Sequence, residues 1–189
     1  MKISRSQTKA LLLIGTGVLV SVVGFLFLRP DSKAPSFNAD DVMFAQMMLP
    51  HHLQAIDMAA MVLAPGRRSS RELQSLARGV QSQQSSEVIV LEKLLSRWRA
   101  DTEGSHHMGM MDGMLSADEL RRLNSLHGTE FDHAWSVAMI KHHQGAIAMA
   151  RDVLRAGVNQ RIASLASDVV AAQSQEIREL RTIATATSN

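Results

Sequence analysis

Apolar and polar positions divide this 189-residue chain into one unbroken apolar run and a series of amphipathic stretches. Ala10 through Leu28 carries no charge over 19 residues. As a helix it would rise about 28 Å, enough to cross a bilayer core. Lys2, Arg5 and Lys9 precede it and Arg29-Pro30 closes it. This pattern predicts a cytoplasmic basic segment over 1–9, an uncleaved transmembrane signal anchor over 10–28 and a linker over 29–37, with everything beyond on the outer side. From residue 38 the spacing changes to alternating steps of three and four. Phe44, Met48, His51, Ala55, Met58 and Val62 form one seam of a helix. Asn38 is its candidate cap, with Asp40 and Asp41 in the first turn, and Pro65-Gly66 is its stop. Pro50 lies inside and predicts a kink. Further helices are expected over Ser70 to Arg99, from the Ser116 capping box to near Gly128, over Thr129 to Ala156 and from Asn159 to about Ala184.

The stretch 38–185 is a repeat. At a shift of 91, Asp41, Phe44, Met48, His51, His52, Ala55, Met58 and Ala59 fall on Asp132, Trp135, Met139, His142, His143, Ala146, Met149 and Ala150. At a shift of 89, Leu76, Gln84, Glu87, Val88 and Leu91 fall on Leu165, Gln173, Glu176, Ile177 and Leu180. Each half, 38–99 and 129–185, is therefore a helical hairpin, and residues 100–128 join them. Short turns predict an all-α, up-down-up-down four-helix bundle in which the first and third long helices run parallel.

Composition supports this and removes alternatives. The chain has no tyrosine and only 5 Phe and 2 Trp, which disfavours a β-sandwich or barrel. Its net charge of +2 is carried by the N-terminal segment: without Lys2, Arg5, Lys9 and Arg29, the 20 Lys and Arg fall to 16 against 18 Asp and Glu. No basic patch with interleaved aromatics points to nucleic acid. With no cysteine, thiolate metal sites and disulfides are excluded, and an oxidising compartment is tolerated.

The candidate chemistry lies in Met48-x-x-His51-His52 and Met139-x-x-His142-His143. Residues three apart share a helix face, whereas adjacent histidines diverge by about 100°. With parallel helices, Met48, His51, Met139 and His142 are expected to converge near a pseudo-two-fold axis, with His52 and His143 at its mouth. Met58 and Met149 would form a second layer. Imidazole with thioether suits Cu(I); zinc gains little from methionine, and Mg²⁺ or Ca²⁺ nothing. Met at helical spacing also serves as ordinary core packing. Four imidazoles in a core favour the metal, because buried polar groups need partners. A second cluster, His106, His107, Met108, Met110, Met111 and Met114, occupies a Gly-rich loop and offers the same donors.

The double motif Asp-x-x-[Phe/Trp]-x-x-x-Met-x-x-His-His resembles the DUF305 family. The resemblance runs from about Asn38 to Ile183 and includes Gln144-Gly145-Ala146 and the segment from Met114 to Phe131. It implies a ferritin-like bundle outside the cytoplasm, with copper binding or copper resistance where a role is assigned. By position it carries over Met48, His51, His52, Met58, Met139, His142, His143 and Met149. Lys141 stands where the first copy has Pro50.

The expected function is a membrane-anchored, periplasmic or cell-surface copper protein, with Cu(I) favoured, that buffers the ion or exchanges it with a trafficking protein or a second copy. A di-metal oxidase would need two Glu-x-x-His pairs. Only Glu130-x-x-His133 fits, because Ala39 and Val42 occupy the matching positions, although Glu87 and Glu176 recur. A metal-free helical interaction module is the third reading. No nucleophile–base pair, phosphate loop or dinucleotide fingerprint appears, so no enzyme is expected. Asp41 and Asp132 are expected to stabilise helix N-termini and, secondarily, to orient a histidine.

Overall fold

Five helices account for the order in the computed structural model, which describes residues 36–102 and 111–187. They are α1 (Ala39–Leu63), α2 (Arg71–Trp98), the short α3 (Ala117–Ser125), α4 (Gly128–Ala156) and α5 (Gln160–Ala186). No strand occurs among the described residues. The expected anchor over 10–28 lies outside them, and no described helix is long and apolar enough to cross a membrane.

Local chemistry sets the helix ends. Asn38 and Asp41 form a reciprocal capping box at the start of α1. Ser70 caps α2, Ser116 and Glu119 form a second box on α3, and Asn159 caps α5. Pro50 does not break α1, which continues to Leu63. A kinked or straight proline forfeits one backbone hydrogen bond, and the buried seam on both sides holds the helix through it.

The bundle is not up-down-up-down. Asn38 Nδ2 donates to the Ala156 carbonyl at 2.8 Å, so the start of α1 meets the end of α4. At the other end Ser70 N donates to Asp132 Oδ2 at 2.8 Å, and between them Trp135 Nε1 donates to the Met58 carbonyl at 2.9 Å. Helices α1 and α4 are therefore antiparallel, which overturns the parallel expectation. The cause is the crossover between Arg99 and His127. α2 ends beside Phe37, where Trp98 stacks at 4.8 Å, whereas α3 sits at the opposite end, where Arg67 reaches the Leu126 and Asn124 carbonyls. The chain has thus returned along the bundle before α4 begins. The direction sequence is up, down, down, up, and each helix packs against antiparallel neighbours: α1 on α2 and α4, α5 on α4 and α2.

The two halves are tied by their equivalent aspartates. Asp41 accepts from Val158 N and Asn159 N, each at 3.1 Å, across the α4–α5 turn. Asp132 does the same for the α1–α2 turn through Ser70. Gly157 is needed for this approach: a Cβ there would lie 2.5 Å from Asp41 Oδ1. It ends α4 by letting the carboxylate in, at an ordinary negative φ.

Candidate metal centre

Where α1 crosses α4 the core stops being apolar. His51, His52, His142 and His143 are all fully buried. The His51 and His142 rings pack against each other, with centroids 3.8 Å apart and planes tilted by 42°. Neither nitrogen of either ring has a hydrogen-bond partner. Burial holds His51 far below its usual range, at about 3, aided by His52 and His143 and opposed by the Asp112 backbone. Burial also pushes His142 well down, with His51, His143 and His52 adding to it. Both imidazoles are therefore neutral at pH 7, the form in which a ring nitrogen can ligate.

His52 and His143 turn away from the crossing. His52 Nε2 lies 2.7 Å from Glu87 Oε2 on α2, and His143 Nε2 lies 2.8 Å from Glu176 Oε2 on α5. They do not line a mouth as expected, because adjacent positions on one helix face different neighbours. Glu87 can hold the His52 ring with the proton on Nε2, which leaves its Nδ1 without a partner, whereas His143 lies near Glu176 without hydrogen-bond geometry and both its nitrogens are unpartnered. Gln84 and Gln173, also equivalent and buried, add amide atoms without partners on α2 and α5.

The methionines do not converge as expected. Met48 and Met139 are fully buried, each one turn before its histidine. On antiparallel helices, "before" points in opposite directions. They flank the ring pair from opposite sides, roughly 9 Å apart along the axis. Met139 joins the cluster of Met58, Trp135 and Phe131, while Met48 joins that of Phe44 and Ala146, against which Met149 packs half-buried. Each histidine thus has its own thioether within one turn. Among the described residues, no three His, Cys, Asp or Glu side chains gather as a metal-holding group.

A strap covers the crossing. A Cβ on Gly145 would lie 1.8 Å from the Asp112 carbonyl oxygen, and one on Gly113 would lie 2.6 Å from the Lys141 carbonyl. The strap therefore rests directly on the α4 backbone at the turn that carries His142. Gln54 clamps it from α1, donating to the Leu115 carbonyl at 2.9 Å and accepting from Leu115 N at 2.8 Å. Met111 on this strap is buried and Met114 half-buried, so their packing accounts for part of the loop's methionine content. His106, His107, Met108 and Met110 lie outside the described residues.

The di-metal oxidase set does not assemble. Glu130 is exposed, His133 Nδ1 faces the Ala184 carbonyl at 2.9 Å, Glu87 holds His52 and Glu176 lies against His143. The Glu–His pairs and the strap glycines are functional features that helix spacing did not assign. The recurrence of Glu87 as Glu176 inside an apolar seam was the available signal.

The family model for a domain of unknown function, DUF305, matches residues 41–184. The chain belongs to the DUF305 family. A DUF305 fragment from Deinococcus radiodurans is 32% identical with a TM-score of 0.70, covering 78% of this chain and 97% of that one. A DUF305 protein of Streptomyces coelicolor, classed as secreted, is 27% identical with a TM-score of 0.72, covering 78% and 93%. CopM in its Cu(I)-bound form is 28% identical with a TM-score of 0.66, covering 79% and 98%. CopM has also been solved with Cu(II) and with silver. No functionally curated protein matches the chain.

Proposed function

We propose that this DUF305 chain binds copper, with Cu(I) favoured, at the α1–α4 crossing, and that it buffers or passes on the ion outside the cytoplasm without catalysing a reaction. The observation that carries the reading is the ring pair of His51 and His142, fully buried with four nitrogens unpartnered. A buried polar atom without a hydrogen bond costs roughly 1–3 kcal/mol, so a core that keeps four is built for something that satisfies them. Neutral imidazoles beside thioethers suit a soft monovalent ion better than zinc. Copper- and silver-bound CopM supports the class of ion.

The single long crossover agrees with a ferritin-like layout. The apolar run over 10–28 supports a membrane anchor with the bundle on the outer side, where the Streptomyces relative is classed as secreted. A trafficking protein or a second copy would then receive the ion. Titration of the full chain with Cu(I) against a competing chelator tests the site. His51→Ala/His142→Ala should remove one tight equivalent. Unchanged stoichiometry and affinity in that variant would refute the crossing as the site.

A further inference from the structure

A second group of thioethers opens to solvent on the same α1–α4 face. Met43, Met47 and Met149 line a surface cavity of about 290 Å³, with Asp40 and Asp152 also on its lining. Met43 and Met47 are one turn apart on α1, and Met149 faces them from the antiparallel α4. Met43 is 45% exposed.

The repeat supplies the control. At the shift of 91, Met43 and Met47 correspond to Ala134 and Ala138. Those alanines lie at the other end of the crossing, half-buried in a groove with Leu123 and Leu126. The two grooves thus differ at equivalent positions, with methionine on one and alanine on the other. Burial alone does not explain methionine where the other half of the repeat has alanine. Thioether sulfur does: it is uncharged, needs no deprotonation and selects soft cations. The carboxylates of Asp40 and Asp152 lend negative potential, although Asp152 also pairs with Arg155.

We infer that Met43, Met47 and Met149 form a surface site for a soft monovalent cation of the Cu(I) or Ag(I) class, separate from the histidine crossing. The inference deepens the copper reading and rests on it only for the class of ion. Met47 precedes the buried Met48, which lies one turn from His51, so the groove is also a run of thioethers leading toward the crossing.

The test uses the full chain in detergent, labelled with ¹³C at the methionine methyls and titrated with Ag(I), which is soft and redox-inert. The Met43, Met47 and Met149 methyl signals should shift together, both in the natural chain and in His51→Ala/His142→Ala. Met43→Leu/Met47→Leu, which keeps the apolar volume but removes sulfur, should bind one equivalent less in equilibrium dialysis. If the three methyls stay still while silver binds elsewhere, or the leucine variant binds the same number, the groove is an apolar docking face and the inference fails. Failure of the crossing alone would show as groove signals that move while His51 and His142 make no difference to the total bound.

Discussion

Acidifying the metal-free protein should destabilise it well before its carboxylates titrate. His51 is held at about 3 in the fold against an ordinary 6.5, chiefly by burial. Between those values the unfolded chain binds a proton that the folded chain refuses. The stability this histidine permits is therefore complete above pH 6.5 and is lost progressively as pH falls toward its folded value. At 1.36 kcal/mol per unit, moving from pH 7.5 to pH 5 costs about 2 kcal/mol from His51 alone. His142 shifts in the same direction and adds to the loss. Against a total stability of about 5–15 kcal/mol, that is a large fraction. Glu119 is depressed by its Ser116 hydrogen bonds, so its contribution is lost only below the ordinary 4.5, outside this window. Urea unfolding of the chelator-treated chain, followed through Trp98 and Trp135 fluorescence, measures the effect. His51→Leu/His142→Leu should flatten the pH dependence between 7.5 and 5. Equal midpoints at the two pH values, or an unchanged slope in the leucine variant, would refute the argument that the ring pair is buried neutral.

Gly145→Ala cannot keep the strap in place, since its Cβ would occupy the Asp112 carbonyl position. It should cost about 1–3 kcal/mol in denaturant unfolding and speed metal release in stopped-flow chelator exchange. Asp41→Ala strands Asn38 N, Val158 N and Asn159 N, whereas Asp132→Ala strands Ser70 N. The first should lower the unfolding midpoint more than the second, each lost charged hydrogen bond being worth about 1.5–3 kcal/mol.

Helix positions were legible because their signals are local. Asn38, Ser70, Ser116 and Asn159 cap the helices that follow them, and the seam from Phe44 to Val62 is the buried one. The direction of α4 was not legible. Periodicity states which face is buried, and it is the same for a helix running either way. Only the length of the crossover carried information on direction, and 100–128 is long enough to return to either end. That one ambiguity propagated into the site. With α4 reversed, the same face still brings His51 against His142, since both lie at the crossing point, but it sends Met48 and Met139 to opposite sides. The partners of His52 and His143 were visible as a recurring Glu, yet nothing in spacing alone chose between a hydrogen-bonded and a solvated carboxylate.

The duplication is symmetric in its core and asymmetric in its cover, and that difference decides how an ion could reach the histidines. Gln54 and Gly145 are equivalent at the shift of 91. A single strap cannot obey a two-fold axis, so the two positions have had to diverge. On α1 a long amide reaches out to clamp the strap, and on α4 the absence of a side chain lets the backbone rest on the helix. On the same side Leu123 of α3 shares a groove with Ala134 and Ala138. Among the described residues, neither strap nor short helix lies on the other half of the groove, and there the equivalent residues are Met43 and Met47. A buried pair of neutral imidazoles is thus closed from one direction by backbone contact and approached from the other by sulfur. If soft ions enter this bundle, the open half is the side from which thioethers can lead them inward.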